Sequence, residues 1–165
     1  MSRAVSSENP TSVDYAAIAA MLESIELLAG LDPPALRTLA GHLLVRDFAE
    51  GETVFREGAA GDWMGLLVAG RIRIEKSGDA GSDVTIAVES HSRSIGEMAL
   101  IDGEPRSATC VAIEPSRLLV LTRAQFEKLV KNRPALAIEV LMRVARLVSR
   151  RLRLTSGKLV DHLEE

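Results

Sequence analysis

The chain contains 165 residues, of which 47% are apolar and 26% are charged, and its formal net charge is −3. This length suits one ordinary domain with a real core, and the charge balance excludes both the strongly basic signature of a nucleic-acid-binding protein and the charge excess of a disordered chain. Cys110 is the single cysteine, which excludes an internal disulfide and favours a reducing, cytoplasmic setting. We therefore expect a globular cytoplasmic protein without a nucleic-acid partner.

The amino-terminal segment combines a polar arm with two short helices. Residues 1–11 are rich in Ser, Glu, Asn and Pro and are predicted to be a mobile arm. Residues 14–29 and 33–44 repeat apolar side chains at steps of three and four, which predicts two helices separated by the segment AGLDPP. The first apolar run contains Glu23 and Glu26 and lacks a basic lead-in followed by a small-residue cleavage site. We therefore expect neither a signal peptide nor a membrane span.

Strand-like runs dominate the middle of the chain, from Arg46 to about Thr122, and turns rich in Gly, Asp and Ser separate them. This spacing predicts a compact antiparallel β barrel or roll. After it the pattern returns to helix, and Pro134 can occupy the first turn of a long helix. The six runs are TVFRE, MGLLVAG, RIRIEK, DVTIAVES, ATCVAI and RLLVLT.

The predicted fold is therefore mainly β, with a β roll flanked by N-terminal helices and a long C-terminal helix. We expect three segments. Residues 1–22 form the arm and the start of the first helix, residues 23–133 form the β roll with its lead-in helices, and residues 134–165 form the C-terminal helix.

The segment SIGEMALIDGEPRSATCVA places one acid and one base in a mostly apolar stretch. Gly96 followed by Glu-Met-Ala-Leu predicts a turn into a short helix, whose first backbone N–H groups are unpaired donors. Arg106 offers a planar fork of donors suited to phosphate oxygens, and Gly96 lets a ligand approach the backbone closely. Glu97 would face the wrong charge unless it accepts hydrogen bonds from a sugar hydroxyl and from Arg106. A ribose beside a phosphate satisfies all three groups.

These residues resemble the phosphate-binding cassette of the cyclic nucleotide-binding domain family, which runs Phe-Gly-Glu-Leu/Met-Ala-Leu and, a few residues later, Pro-Arg-Ser/Ala-Ala-Thr. Here the two halves stand as Ile-Gly-Glu-Met-Ala-Leu and Pro-Arg-Ser-Ala-Thr, with Ile95 where the family often has an aromatic residue. The resemblance covers roughly residues 25–155 and includes the turn glycines Gly51, Gly58 and Gly70. It implies a double-stranded β-helix, a jelly-roll-like β roll similar to the ligand domain of catabolite activator proteins.

The resemblance also implies roles for individual residues. Glu97 would bind the ribose 2′-hydroxyl, and Arg106 would bind the cyclic phosphate. Thr155 and Ser156 match a Thr-Ser pair that reaches the adenine in catabolite activator proteins, which favours cyclic AMP over cyclic GMP. The serine beside the arginine complicates this preference, because a hydroxyl there favours guanine in some relatives. The rest of the cassette would act mainly through backbone groups and one hydroxyl, and comprises Gly96, Met98, Ala99 and Ser107.

Other interpretations of the same residues stay open. Glu97 and Arg106 are compatible with a structural ion pair that pins a loop to the roll. The domain is also compatible with a degenerate fold that binds no nucleotide and serves as a protein-interaction or dimerisation module. Thr155 and Ser156 are compatible with two solvated hydroxyls near a helix end, because Gly157 inside a helix costs about 1 kcal/mol relative to alanine.

Catalysis and DNA reading have little support in the sequence. There is no Gly-x-Ser-x-Gly elbow, no Gly-x-x-x-x-Gly-Lys phosphate loop, and no paired metal-ligand spacing among the three histidines. A DNA-binding regulator needs a helix-turn-helix after the long helix, and the sequence stops at Glu165. Against these alternatives, we expect a stand-alone cyclic nucleotide sensor without cofactors or enzymatic activity, which signals by conformational change to an unidentified protein partner.

The C-terminal helix carries two adjacent apolar stripes, and one of them has the alternating three- and four-residue steps of a two-stranded coiled coil. A helix that packs only on its own roll needs one apolar face, so we expect one stripe to meet the roll and the other to meet a second subunit in a homodimer. A monomer with a broadly buried helix is the alternative. The predicted seam is Ile138, Leu141, Ala145, Val148, Leu152, Thr155 and Leu159, the second stripe is Val140, Val144, Leu147 and Leu154, and the arginines expected mostly on the remaining face are Arg143, Arg146, Arg150 and Arg153.

Overall fold

Two four-stranded antiparallel sheets form the centre of the molecule in a computed structural model that describes residues 14–79 and 81–163. The strands are β1 Leu44–Phe48, β2 Thr53–Phe55, β3 Trp63–Ala69, β4 Ile72–Ser77, β5 Asp83–Glu89, β6 Ser94–Ile95, β7 Thr109–Ala112 and β8 Ser116–Thr122. The first sheet has the order β1-β8-β3-β6 and the second has the order β2-β7-β4-β5. The predicted β roll is confirmed. The predicted arm, residues 1–11, lies outside the described residues.

Helices flank the roll, and one short helix interrupts it. They are α1 Tyr15–Leu22, a 3-10 helix Glu26–Leu28, α2 Pro33–Ala40, α3 Met98–Asp102, α4 Arg123–Asn132 and α5 Pro134–Leu163. Because α5 alone has 30 residues, the described chain has more residues in helices than in strands, although the β roll is its centre. Within the described ranges, none of the helices combines the length and the apolar character that crossing a membrane requires.

Both predicted N-terminal helices are shorter in the structure. The first, predicted over residues 14–29, is interrupted where the Ser24 hydroxyl donates to the Met21 carbonyl oxygen at 2.8 Å and where Ile25 adopts an extended conformation. Serine side chains compete in this way with the helical hydrogen-bond pattern. The second helix, predicted over residues 33–44, corresponds to α2, which already ends at Ala40. The last residue of the predicted range, Leu44, is the first residue of β1.

Apolar side chains form two cores, one on each side of the first sheet. The larger core lies between this sheet and the helices, and the smaller core lies between the two sheets. Leu118 and Val120 of β8 face the smaller core, whereas Leu119 and Leu121 face the larger one, as the two-residue period of a strand requires. Each fully buried side chain of this kind stabilises the fold by about 1.5–3 kcal/mol. The first sheet is therefore held on both faces.

The first half of α5 packs on the larger core, and the opposite side of the helix is exposed. Val144 from the predicted second stripe is fully buried, which fixes the side that faces the core. Leu141 from the predicted seam is consequently also partly buried against this core. Arg143, expected to be solvated or paired with an acid, pairs with Glu139 one helical turn earlier, and it also donates to the Ala29 carbonyl oxygen at 2.7 Å. The exposed line of α5 keeps only part of the predicted seam, because Leu141 and Val148 are partly buried and Thr155 lines a cavity. This line, which we call the exposed seam, consists of Ile138, Met142, Ala145, Ser149, Leu152, Ser156 and Leu159.

Candidate functional site

A cavity of about 610 Å³ opens between the second sheet, residues 95–108 and the second half of α5. Seven of the eight residues that the sequence predicted to bind a ligand line this cavity. The eighth, Ser156, is exposed on α5 and lies outside the lining. The seven lining residues are Gly96, Glu97, Met98, Ala99, Arg106, Ser107 and Thr155.

Gly96 forms the predicted turn between β6 and the short helix α3. Its φ of 68° lies in the left-handed region that glycine adopts without strain. A Cβ atom at this position would overlap the guanidinium of Arg106 and approach the ring of Phe55 to 3.3 Å. Glycine is therefore required here both by the backbone conformation and by the close approach of the arginine.

The loop after β2 fixes the backbone of Arg106. The N–H of Arg106 donates to the Ala59 carbonyl oxygen, and its own carbonyl oxygen accepts from the N–H of Gly58, both at 2.8 Å. These paired bonds hold the arginine in place through main-chain atoms alone. The turn that presents its side chain to the cavity is therefore set by the β roll.

The guanidinium of Arg106 is buried and only partly paired. It lies over the rings of Phe55 and Trp63, 4.1 and 4.7 Å from their centroids, and its Nη1 donates to the Gly96 carbonyl oxygen at 3.2 Å. Arg106 is only 4% exposed, and its Nε and Nη2 have no hydrogen-bond partner among the described residues. Burial lowers the pKa of this guanidinium, and the negative charge of Asp62 opposes the shift. A buried cation with two free donors can bind an anion.

The carboxylate of Glu97 is also buried, and only one of its two oxygens is hydrogen-bonded to a described residue. Its Oε1 accepts a hydrogen bond from Nη1 of Arg151, whereas its Oε2 has no partner among the described residues. Burial raises the pKa of this carboxyl, and the charge of Arg151 opposes the shift. The expectation that Arg106 donates to Glu97 is wrong. The aromatic rings and the Gly96 carbonyl oxygen hold the guanidinium of Arg106, and Arg151 of α5 pairs with Glu97 instead.

Arg151 is the site residue that the sequence reasoning missed. Besides Glu97, it contacts the Ser94 carbonyl oxygen at 3.1 Å and a carboxylate oxygen of Glu89 at 3.3 Å. It therefore joins α5 to β5, to β6 and to the start of α3. One signal in the sequence could have found it: Arg151 lies four residues before Thr155 and so shares its side of the helix.

The remaining lining residues are held less tightly. Ala99 is buried in α3, whereas Met98 at the start of this helix is exposed. The Ser107 hydroxyl lies 4.0 Å from the Met98 sulfur, and the Ser107 carbonyl oxygen accepts from Nζ of Lys76 at 2.6 Å. The Thr155 hydroxyl donates to the carbonyl oxygen one helical turn earlier at 3.0 Å.

Cys110 also lines the cavity. Burial raises the pKa of its thiol to about 12, so the thiol is protonated at neutral pH and is not a nucleophile. Among the residues that the structure describes, His, Cys, Asp and Glu side chains form no group of three or more that could hold a metal ion. Among the lining residues that the structure describes, the cavity therefore offers one buried cation and one buried carboxylate, each with hydrogen-bonding atoms that lack a partner there.

Known proteins match this chain over the β roll and its flanking helices. The family model described as the cyclic nucleotide-binding domain matches residues 45–133. A CRP-like cAMP-activated global transcriptional regulator of Mycobacterium tuberculosis is 28% identical over 135 residues, which cover 82% of this chain and 58% of the relative. The cyclic AMP receptor protein of Thermus thermophilus is 31% identical over 127 residues, which cover 77% of this chain and 57% of the relative. The match thus spans less than two thirds of the length of these relatives.

A solved structure extends the match to the flanking helices. A cyclic nucleotide-binding domain from Methylobacillus flagellatus KT superposes with a TM-score of 0.79 at 29% identity, covering 90% of this chain and 83% of that one. The family match itself covers more than half of the 165 residues and includes both halves of the cassette. This chain belongs to the cyclic nucleotide-binding domain family.

Proposed function

We propose that this protein binds a cyclic nucleotide, cyclic AMP, in the cavity between the second sheet and α5. One observation carries the proposal: Nε and Nη2 of Arg106 and Oε2 of Glu97 are buried without partners in the described part of the chain, and they belong to the lining of the same cavity. Buried polar atoms are almost always hydrogen-bonded, so these three atoms indicate the ligand's own polar groups. Two donors on a cation suit phosphate oxygens, and a carboxylate oxygen suits a sugar hydroxyl. A phosphate fused to a ribose supplies both.

The dimensions of the cavity support the same ligand class. Its volume of about 610 Å³ falls within the range of about 300–1,000 Å³ that small-molecule sites occupy. In this assignment the phosphate contacts Arg106 and the backbone around Gly96 and Ser107, and the ribose 2′-hydroxyl donates to Glu97. The base then extends toward α5, where Thr155 lines the cavity.

The signal leaves the site through α5. Arg151 bonds to the carboxylate that the ribose contacts, so a ligand that engages Glu97 changes the balance of contacts holding the second half of α5. The first half of this helix is packed on the larger core and is tied to the N-terminal segment through Arg143. A ligand that favours one arrangement of these contacts shifts the population toward it. The protein that receives this signal would contact the helices.

Adenine is the base that we infer from the helix side of the cavity, with Thr155 as the hydroxyl nearest to it. Ser107 is the reason to test guanine, because its hydroxyl also belongs to the cavity lining. Direct comparison of cyclic AMP with cyclic GMP decides this point. Tighter binding of cyclic GMP would reverse the assignment of the base.

We further propose that two copies associate through the exposed seam of α5. Its apolar members include Ile138 at 61% exposure and Leu152 at 66% exposure, and their spacing is that of a two-stranded coiled coil. Light scattering should give about twice the monomer mass of 17.8 kDa. Leu152→Glu should restore the monomer, whereas Val130→Glu on α4, also at an exposed apolar position, should leave the dimer intact. A monomeric wild-type protein would contradict the seam.

We infer a regulatory rather than a catalytic role. The free polar atoms of the cavity can bind a phosphate and a hydroxyl, but the Cys110 thiol in its lining is held protonated. An unchanged cyclic nucleotide after prolonged incubation with the protein is the expected result. Formation of the linear monophosphate would contradict this role.

Calorimetric titration of the purified protein tests the binding proposal. Cyclic AMP should bind with one site per chain, cyclic GMP should bind more weakly, and linear 5′-AMP should bind most weakly because its phosphate is not held against the ribose. Absence of binding for both cyclic nucleotides, with a folded protein by circular dichroism, would refute the proposal and favour a degenerate fold that serves protein interaction or dimerisation.

A further inference from the structure

Lys76, near the end of β4, reaches the turn that carries Arg106 although it does not line the cavity. Its Nζ donates to the Ser107 carbonyl oxygen at 2.6 Å and pairs with Oε1 of Glu57 at 3.2 Å. A hydrogen bond from a charged donor is stronger than one from a neutral donor. The lysine thus holds the peptide group that directly follows the anion-binding arginine.

Glu57 fixes the lysine in this position. Its second carboxylate oxygen accepts from the backbone N–H of Ser77 at 2.9 Å, and its own N–H donates to the Thr109 hydroxyl at 2.9 Å. The hydrogen bond from Ser77, together with the bond from Lys76, lowers the pKa of this carboxyl below its ordinary value. The glutamate is therefore ionised at neutral pH. It follows the end of β2 and connects it to the end of β4 and to the start of β7.

The sheet itself does not hold Ser107. The ladder between β4 and β7 begins at the pair Glu75 and Thr109, and Arg106 is bonded through its backbone to residues 58 and 59. Between these two anchors, the Ser107 carbonyl is held by the lysine side chain. We propose that Lys76 is a positioning residue for the anion-binding end of the cavity, acting through the Ser107 peptide. This inference rests on the proposed binding of a cyclic nucleotide.

Substitutions of Lys76 distinguish a role in positioning the anion-binding end from a general effect on the stability of the roll. Lys76→Met keeps much of the apolar stem but removes the donor, and should weaken cyclic AMP binding about three- to tenfold, since the bond is charged but half exposed. Lys76→Arg, which restores a charged donor, should stay within about twofold of wild type by the same reasoning. The matched control is Arg71→Met, which removes another exposed ion pair of the roll, with Glu114, and should leave affinity unchanged.

The ligand provides a second readout. Adenosine lacks the phosphate, so its affinity, measured by competition, should be the same in wild type and Lys76→Met, whereas the affinity for cyclic AMP falls. Equal losses for both ligands, or no loss of cyclic AMP affinity in Lys76→Met, would overturn the positioning role while leaving the proposed function intact. A wild-type protein that binds no cyclic nucleotide would overturn both.

Discussion

The two ends of the cavity are built in different ways. At one end, Arg106 is held by main-chain bonds from the loop after β2 and by the rings of Phe55 and Trp63, all within the β roll. At the other end, Glu97 is held by Arg151, which comes from α5. The end that we propose for the phosphate is therefore held by the roll alone, whereas the end that we propose for the ribose depends on the position of a helix. In the proposed function, the first end serves binding and the second end couples binding to α5.

The difference also has an energetic side. A buried polar atom without a partner costs about 1–3 kcal/mol, and both ends carry atoms that lack a partner within residues 14–79 and 81–163. At the proposed phosphate end, folding already places these unpaired donors, so an anion can bond to them without a rearrangement of the roll, as in preorganised sites. At the ribose end, a ligand that bonds Glu97 also acts on the contact of this carboxylate with α5.

The largest effect should follow from removing the preorganised cation. Arg106→Ala should weaken cyclic AMP binding at least tenfold, because truncating a buried charged partner costs about 2–5 kcal/mol. Titration calorimetry measures the loss. Arg117→Ala serves as the control, since this arginine pairs with Asp47 on the surface and should leave affinity unchanged. Undiminished affinity in Arg106→Ala would show that the phosphate end lies elsewhere.

A smaller effect, of a different kind, should follow at the helix end. Arg151→Met leaves the buried carboxylate of Glu97 without its cationic partner, which should reduce the free energy of unfolding by about 1–3 kcal/mol. The second half of α5 should also exchange its amide hydrogens faster, because Arg151 connects it to the roll. Arg150→Met, on the exposed neighbouring position, is the control. Equal exchange rates in α5 for both variants would contradict this role.

Acid should affect the ribose end while sparing the phosphate end. Burial raises the pKa of Glu97 above its ordinary value, so lowering the pH through this raised pKa protonates the carboxylate and should weaken binding modestly. The same shift means that ionised Glu97 opposes folding: this cost is fully present above the raised pKa of the folded state and is lost progressively as the pH falls from there to the ordinary pKa of the carboxyl. Affinity measured against pH in wild type and Glu97→Gln should show the dependence in wild type alone. An identical profile in both proteins would assign the dependence to another group.

Local features of the fold were predictable because they depend on neighbours in the sequence. The start of α5 at Pro134 follows from the fixed φ of proline and its missing N–H. The turn at Gly96 and the short helix after it follow from glycine's access to positive φ. Six of the eight described strands follow from the predicted apolar runs between turn residues. The other two, β1 and β6, were not among these runs, and the helix before β1 was predicted to continue into that strand.

Contacts between distant elements were not predictable in this way. Arg151 and Glu97 are 54 residues apart, and their pairing depends on how α5 lies across the roll. The rotation of α5 about its axis is likewise set by the burial of Val144, which moved Leu141 out of the predicted seam. Arg106 turned toward aromatic rings instead of the acid, because Phe55 and Trp63 meet beneath it only when the two sheets pack.

The assignment of the ribose end is tested most directly by a cycle that removes each partner of one proposed bond. Cyclic AMP and its 2′-deoxy analogue are each titrated into wild type and Glu97→Ala. In wild type the loss of the hydroxyl should weaken binding about tenfold or more, as expected for a hydrogen bond to a buried charge. In Glu97→Ala the two nucleotides should bind equally. An equal loss in both proteins would contradict the contact between Glu97 and the ribose.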